Sequence, residues 1–417
     1  MSTLSKLAGT LKGSEIVRLG NEIGERIRQG EKIYNFTIGD FAPSVFPIPY
    51  ELEQLIIKSY KDHNTNYPPG EGILELRKAV SQFIKYREGL NYSTNEIQIA
   101  SGGRPLIYTL FKTIVNPGDK VVYAVPSWNN NHYTHIHNAE HCVIETIPEN
   151  NFMPLANDIA PHIQQASLVC LCTPQNPTGT TLSREELEKI CDLIIDENNS
   201  RGSEKKVYLM FDQIYWTLTY GKTQHYNPVT LRPEMQKYTV FIDGISKAFA
   251  ATGLRVGWAL GPADIIAKMK ALLSHIGAWA PMAEQKAVAQ YLLQDDAINN
   301  YLKTFKDALE ERLGKIYNGF LSLKQKGYPV DAIVPQAAIY LTIKIDIVGK
   351  RINNSILKNQ SDVTSYILSE AKLAVVPFYA FGADSQSPWY RLSVGTCRLE
   401  EISPMLAQLE KALEKLQ

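Results

Sequence analysis

The stretch FIDGISKAFAATGLRVGW, residues Phe241 to Trp258, joins an apolar run of strand length to a lysine and then to a series of small residues. A lysine at a strand end is ordinarily a solvated surface charge. Here Lys247 is followed by alanines and a glycine, which allow other backbone or a flat ligand to come close, and Arg255 places a fixed positive charge eight positions further on. The pattern predicts a reactive amine beside an anion-binding site.

The overall composition narrows the class of protein. The chain has 417 residues, with 43 Lys plus Arg and 43 Asp plus Glu, so its formal net charge is zero and it shows no sign of a nucleic-acid-binding surface. No window reaches the roughly 18 successive apolar residues of a membrane span, and the first residues lack the apolar run of a signal peptide. We therefore expect a cytoplasmic protein with no membrane or nucleic-acid partner.

Short apolar runs alternate with longer segments of helical period, which predicts an α/β fold with a mostly parallel sheet flanked by helices. Helices are expected at 105–115 and 184–198, the second of them capped by Ser183 with Glu186 three residues later. The predicted strands are EIQIA (96–100), KVVYAV (120–125), SLVCLCT (167–173), KVYLMFD (206–212) and YTVFIDG (238–244).

The last third of the chain has a different organisation. A long helical segment at 296–325 precedes strand candidates at 338–345 and 374–376 and a closing helix at 399–416. We predict a large domain at 46–295 and a smaller α+β domain built from both chain ends, 1–45 and 296–417. The polar segment 349–362 is predicted to be a surface insertion.

Chemically useful residues follow the predicted strands. In open parallel α/β sheets, ligands bind at the carboxyl ends of the strands, where the loops converge on helix N-termini. These residues offer a glycine-rich anion cradle, a flat aromatic ring, an amide, a carboxylate with a phenol, and an amine. The set suits pyridoxal 5′-phosphate (PLP), a planar, phosphorylated aldehyde. In strand order they are Ser101, Gly102 and Gly103; Trp128; Asn176; Asp212 and Tyr215; Ser246 and Lys247.

The motifs NYPPGEGILELRKAV, SGGRPLIY, NPGDKVV, CTPQNPTG, FDQIY, SKAFAATGLRVGW and YRLSVG carry a family resemblance. In order and spacing they resemble the fold-type I aspartate aminotransferase superfamily, and most closely the class I/II prokaryotic aspartate aminotransferases. The match extends from about Ser14 to the chain end. The resemblance implies the aspartate-aminotransferase-like fold, PLP as cofactor and a homodimer with shared active sites.

The resemblance also assigns cofactor roles to individual residues. Lys247 matches the lysine that bonds covalently to the cofactor, and Asp212 matches the carboxylate that pairs with its pyridine nitrogen. Tyr215 and Asn176 match the groups that hydrogen-bond the ring's 3′ oxygen. The remaining cofactor-binding residues are Ser101, Gly102, Gly103, Ser246 and Arg255 at the phosphate, Trp128 stacked on the ring, and Tyr67 reaching the cofactor phosphate of the partner subunit.

For the substrate, Arg391 matches the arginine that binds the α-carboxylate through two parallel hydrogen bonds. Gly39 matches a main-chain contact near the same group, and Trp128 and Asn176 also border the substrate. Arg104 stands where these relatives commonly have a lysine that contacts a distal carboxylate. Its alternative role is to steady the cofactor phosphate or a surface acid.

The leading hypothesis is transamination between an acidic amino acid, with aspartate as first choice, and a 2-oxo acid such as 2-oxoglutarate. The motifs leave open an aminotransferase for aromatic or neutral amino acids, as well as a C–S β-lyase, decarboxylase or cyclopropane-forming synthase on the same scaffold. A non-catalytic sensor domain of a transcription factor is disfavoured by the zero net charge.

One further motif is discounted. The segment HYTHIHNAEH contains His137 and His141, which would share a face of a helix. Because no acidic general base stands between them as in HExxH, a solvated helix is favoured over a metal site.

Overall fold

A computed structural model describes residues 4–11, 13, 15–352 and 355–417. Within these residues, no helix is long and apolar enough to cross a membrane. The strands in chain order are β1 (Tyr34–Asn35), β2 (Ile97–Ala100), β3 (Lys120–Val125), β4 (Glu140–Glu145), β5 (Ala166–Cys172), β6 (Tyr208–Asp212), β7 (Thr239–Gly244), β8 (Gly257–Leu260), β9 (Val330–Ala332), β10 (Tyr340–Ile345), β11 (Arg351–Ile352), β12 (Ser355–Ile356), β13 (Leu373–Ala374), β14 (Val376–Pro377) and β15 (Trp389–Ser393).

The large sheet has the strand order β2-β8-β7-β6-β5-β3-β4. Strand β8 runs antiparallel to both of its neighbours, while the pairs from β7 to β4 are parallel. The five strands predicted from apolar runs are confirmed to within two residues. Strand β4 was not predicted because half of EHCVIE is polar and the strand lies at the sheet edge, and β8 because it has only four residues.

Helices cover the large sheet on both faces and connect it to the rest of the chain. The predicted cap is confirmed, since the Ser183 side chain accepts a hydrogen bond from the Glu186 N–H. The α-helices are α1 (Lys6–Thr10), α2 (Glu15–Arg28), α3 (Tyr50–Lys61), α4 (Leu74–Glu88), α5 (Gly103–Ile114), α6 (Asn130–Ile136), α7 (Ala156–Ile159), α8 (Arg184–Ser200), α9 (Pro228–Leu231), α10 (Ile245–Ala248), α11 (Ala263–Ile276), α12 (Met282–Tyr291), α13 (Asp295–Gln325), α14 (Gln360–Tyr366) and α15 (Leu399–Glu414).

A second, antiparallel sheet has the order β14-β15-β10-β9. It packs with α13 and α15 around its own apolar cluster, which also takes Phe36, Phe41 and Phe46 from the N-terminal part. Strand β1 pairs in parallel with β13, so both chain ends contribute to this α+β unit. Helix α13 links the two domains, because Ile298 packs in the apolar core of the large sheet and Phe305 in the apolar cluster of the small sheet. The exact boundaries at 46 and 295 stay a prediction.

Two local expectations differ from the structure. The histidine segment is not one solvated helix: α6 ends at Ile136, Asn138 adopts a positive φ of 52°, and His141 lies in β4. His137 is buried because its ring packs against Tyr108 and Phe111 of α5. Within the predicted insertion at 349–362, the exposed strands β11 and β12 pair in antiparallel fashion, and residues 353–354 lie outside the described residues. The last positions form the start of α14, where Gln360 is buried.

Candidate active site

The carboxyl ends of the large sheet meet the small sheet and the N-terminal segment at one cavity of about 600 Å³. Eleven of the predicted site residues line it, although they are spread over more than 350 positions in sequence. Ile16 and Gly20 of α2 close one side. The predicted residues in the lining are Gly39, Gly103, Arg104, Trp128, Asn176, Asp212, Tyr215, Ser246, Lys247, Arg255 and Arg391.

Lys247 lies on the single helical turn α10, directly after β7. Its Nζ donates a hydrogen bond to the Gly39 carbonyl oxygen at 2.7 Å and lies 5.6 Å and 5.7 Å from the ring centroids of Phe41 and Tyr215. Burial lowers the pKa of this amine to about 8. This shift increases the neutral, nucleophilic fraction of the amine near physiological pH.

Asp212 ends β6 and faces the same cavity. Its Oδ1 accepts a hydrogen bond from the Ile214 N–H at 3.1 Å, which fixes the turn that follows the strand. Burial raises the pKa of Asp212 to about 6, and the bond from Ile214 opposes this increase. The carboxylate is therefore still mainly ionised at pH 7.

Tyr215 follows on the same turn and is 2% exposed. Its hydroxyl shares a hydrogen bond of 2.6 Å with the Tyr340 hydroxyl, and burial raises the pKa of Tyr215 well above its ordinary value. Tyr215 is therefore a neutral phenol. Tyr340 was missed in the sequence because nothing in its strand distinguishes it from a core tyrosine.

The glycine-rich start of α5 forms a cradle with Arg255. The guanidinium donates to the carbonyls of Ser101 and Thr252, each at 2.8 Å. A Cβ at Gly102, whose φ is +84°, would lie 2.3 Å from Arg255 Nη2, so only glycine leaves room for this arginine. The free N–H groups at the start of a helix and the adjacent guanidinium favour an anion.

Arg391, on β15, is 2% exposed. Its Nη1 donates to Asn176 Oδ1 at 3.0 Å and its Nη2 to the Thr37 carbonyl at 2.6 Å, whereas Nε has no partner. Its guanidinium carbon lies 4.7 Å from the Tyr340 ring centroid, and a Cβ at Gly39 would be 3.5 Å from Nη1. The structure therefore holds a planar cation at the cavity wall with an incompletely satisfied donor set.

Arg104 lies in the first turn of α5, and its guanidinium carbon is 5.3 Å from the Trp128 ring centroid. Among the described residues, no carboxylate comes within 4.0 Å of Arg104, Arg255 or Arg391. Asp40 and Asp212 are the acids in the cavity lining. Three guanidiniums and the Lys247 amine thus outnumber the acids, and the cavity favours a ligand with several negative charges.

Three predicted residues do not line this cavity. Ser101 and Gly102 lie next to the cavity, because both contact Arg255, which lines it. Tyr67 lies outside it, is 82% exposed, and packs against Trp279, with ring centroids 5.4 Å apart. The sequence interpretation also missed Asp40, whose Oδ1 accepts from the Thr252 hydroxyl at 2.5 Å, since GDF after an apolar run has no distinctive spacing.

The residues present fit PLP on structural grounds. The Gly102–Arg255 cradle offers a guanidinium and helix N–H groups suited to an anion such as phosphate, and the amine of Lys247 lies inside the same cavity as the Asp212 carboxylate. Trp128 and Ile242 supply apolar surface for a planar ring.

Comparison with known proteins supplies independent information. A family model described as aminotransferase class I and II matches residues 32–409. An aspartate aminotransferase of Bacillus sp. (strain YM-2) is 29% identical over 416 residues, which cover 99% of this chain and 98% of the relative.

Solved structures are similar along their full length. The aspartate aminotransferase from Rhizobium meliloti has a TM-score of 0.90 at 24% identity, with 100% of both chains covered, and this likeness bears on the fold alone. The aspartate aminotransferase from Thermus thermophilus with maleate has a TM-score of 0.87 at 25% identity, with 99% and 100% covered. Together with the family match, these similarities show that the chain belongs to the class I and II aminotransferases and is an enzyme of the transferase class.

Proposed function

We propose that this enzyme binds PLP and transfers the amino group of an acidic L-amino acid, with aspartate as first choice, to a 2-oxo acid such as 2-oxoglutarate. The observation that carries the proposal is the set of three arginines in one cavity with no carboxylate partner among the described residues. One phosphate and the two carboxylates of a dicarboxylic amino acid would satisfy all three. The Thermus relative was solved with maleate, itself a dicarboxylate, which supports this assignment.

The cofactor would be held at the strand ends. Arg255, Ser246 and the N–H groups at the start of α5 would bind its phosphate, and Trp128 would cover its ring. Asp212 would pair with the ring nitrogen. When bound, PLP supplies an electron-accepting ring that stabilises the negative charge left when the substrate Cα loses its proton.

The chain's own residues then perform binding and proton transfer. Arg391 would bind the substrate α-carboxylate, next to the Gly39 backbone, and Arg104 the distal one. Lys247 Nζ would take the proton from the substrate Cα, since burial leaves it a base of moderate strength. Asn176 already accepts from Arg391 through Oδ1, so its NH₂ group is free to donate to the ring oxygen together with Tyr215.

We also propose that the enzyme is a homodimer with shared active sites. Tyr67 projects from a surface that includes the partly buried Trp279, and neither aromatic residue reaches the cavity of its own chain. A second copy placed over this surface would cover the exposed Tyr67 ring and bring its hydroxyl to the neighbouring cofactor phosphate.

The depressed pKa of Lys247 leads to a pH prediction. At pH 7 an amine with a pKa of about 8 has a neutral fraction roughly 300-fold larger than that of an ordinary lysine. The rate at which cofactor-free protein bonds covalently to PLP should therefore rise with pH and level off above about 8, whereas the reaction of N-acetyl-lysine with PLP should still rise near pH 10. Stopped-flow absorbance measures both rates. A protein rate that keeps rising beyond pH 9 would contradict the assignment.

A second prediction concerns substrate choice. Arg104→Ala should reduce kcat/KM for aspartate about thirty- to a thousandfold, because a distal carboxylate loses a charge-assisted partner worth roughly 2–4 kcal/mol. Neutral substrates such as leucine and phenylalanine should be nearly unaffected. Coupled assays with a panel of amino acids, on wild type and Arg104→Ala, measure the ratio.

Equal losses for aspartate and leucine would mean that Arg104 serves the cofactor phosphate, and would remove the basis for an acidic substrate. The same panel separates the other reactions of this scaffold, since a lyase would release pyruvate and ammonia without any 2-oxo acid acceptor. Lys411→Ala, in the exposed last turn of α15, is a suitable control for the loss of one positive charge.

A further inference from the structure

A second group of buried polar side chains lies directly beside the candidate active site but does not line it. Glu88, the last residue of α4, has a side chain that is 3% exposed, and Gln213, the residue after Asp212, is fully buried. Gln213 Nε2 donates to both carboxyl oxygens of Glu88, at 2.7 Å and 2.9 Å. Glu88 borders a separate cleft of about 730 Å³. One amide thus satisfies both oxygens of a buried acid.

Gln213 is also the corner of the turn that carries Asp212 and Tyr215. Its N–H donates to the Ile242 carbonyl of β7 at 3.1 Å, and its carbonyl accepts from the Trp216 N–H at 2.8 Å. Movement of Gln213 would therefore shift the carboxylate on one side of it and the phenol on the other. Helix α4 holds this corner through Glu88 from outside the sheet.

The side chains around Gln213 offer little positive charge that could stabilise an additional carboxylate. Asp243 is 1% exposed and accepts from Trp216 Nε1 at 2.9 Å, and burial raises its pKa to about 8. Burial likewise raises the pKa of Glu88 well above its ordinary value. Burial lowers the pKa of His225, whose Nε2 is 3.7 Å from Glu88, to about 3. A further acid in this cluster would meet two buried carboxyls and a neutral imidazole.

We propose that Glu88 is a positioning residue for Asp212 and Tyr215, acting through a hydrogen bond that requires an amide donor at position 88 or position 213. The inference rests on the proposed PLP chemistry of Asp212. The carboxyl group can stand at position 88 or at position 213, because the carboxyl–amide pair is the same in either direction. With carboxyl groups at both positions, the pair could form only while one of them keeps its proton, because two ionised carboxylates have no donor between them.

Three variants test this pair: Gln213→Glu, Glu88→Gln and the exchanged double variant. We expect Gln213→Glu to raise the Kd for PLP about tenfold or more, equivalent to about 1.4 kcal/mol, and to shift the pH midpoint of the visible absorbance of bound PLP. The urea midpoint of the cofactor-free protein should fall as well. Glu88→Gln should change Kd less than about threefold, since two amides still pair.

The double variant Glu88→Gln/Gln213→Glu should restore the Kd for PLP to within about threefold of wild type. The pH midpoint of the absorbance and the urea midpoint should return to within a few tenths of a pH unit and a few tenths molar of wild type. Gln290→Glu, at an exposed position of α12, adds the same charge away from the cluster and should change none of them. If Gln213→Glu does not fold, the double variant still decides, because recovery of folding and PLP binding is expected only for a complementary pair.

The inference is overturned if the double variant is no better than Gln213→Glu, or if Gln213→Glu leaves PLP binding unchanged. A fall in the urea midpoint with Kd and absorbance unaltered would equally overturn it, since the pair would then act on stability alone. Failure of the wild-type enzyme to bind PLP is a different result, which would remove the proposed function itself.

Discussion

Replacing Lys247 with alanine is expected to lower kcat for transamination by at least about 10⁴-fold, because this substitution removes both the covalent attachment of the cofactor and the base at the substrate Cα. No other amine stands in the cavity lining, which holds Lys247 as its single lysine among the described residues. The loss should be similar for every amino acid tested. Steady-state assays with aspartate and 2-oxoglutarate measure it.

The same variant separates covalent from non-covalent binding. Borohydride reduction of the wild-type enzyme loaded with PLP should add the cofactor mass to the peptide that contains Lys247, and Lys247→Ala should show no such addition. Lys247→Arg retains the positive charge beside Gly39 and Tyr215 but has no nucleophilic amine at neutral pH, so it should behave as the alanine variant does. Normal turnover by either variant would refute the role of this lysine.

Much of the fold and site was predictable because it depends on local patterns. Apolar runs mark five of the seven strands of the large sheet, and the loops that follow these five strands lie at one rim because the five strands run in the same direction. Asp212, Asn176 and Lys247 were therefore placed together without any knowledge of their distances. The resemblance to the aminotransferases added the remote residues, Gly39 and Arg391, which no strand-end argument connects to that rim.

The remaining contacts were not predictable because they join segments far apart in sequence. Tyr340 reaches Tyr215 across 125 positions, and Gln213 reaches Glu88 across the same separation. A single sequence shows the residue types but not which helix end meets which turn. The half-polar edge strand β4 was missed for a related reason, since its pairing with β3 and not its own composition makes it a strand.

Arg391→Ala is expected to lower kcat/KM by about 10²- to 10⁴-fold, the kinetic equivalent of roughly 3–5 kcal/mol for the loss of a buried, bidentate partner of a carboxylate. Every amino acid has an α-carboxylate, so aspartate and leucine should lose equally. This result would contrast with Arg104→Ala, which should discriminate between them. The absorbance of bound PLP should persist in both variants, and this measurement serves as the control that they are folded.

Arg391→Lys is the matched control for charge. The ammonium of lysine lacks the planar fork with which Arg391 engages Asn176 Oδ1 and the Thr37 carbonyl, and it would not lie flat against the Tyr340 ring. We therefore expect the lysine variant to recover only a small part of the lost kcat/KM. Charge alone does not orient the α-carboxylate, and this orientation is needed to point the substrate Cα–H bond at Lys247. Full activity of Arg391→Lys would show that a point charge is enough to bind the α-carboxylate. If Arg391→Ala lost activity only with acidic substrates, Arg391 and not Arg104 would be the residue that binds the distal carboxylate.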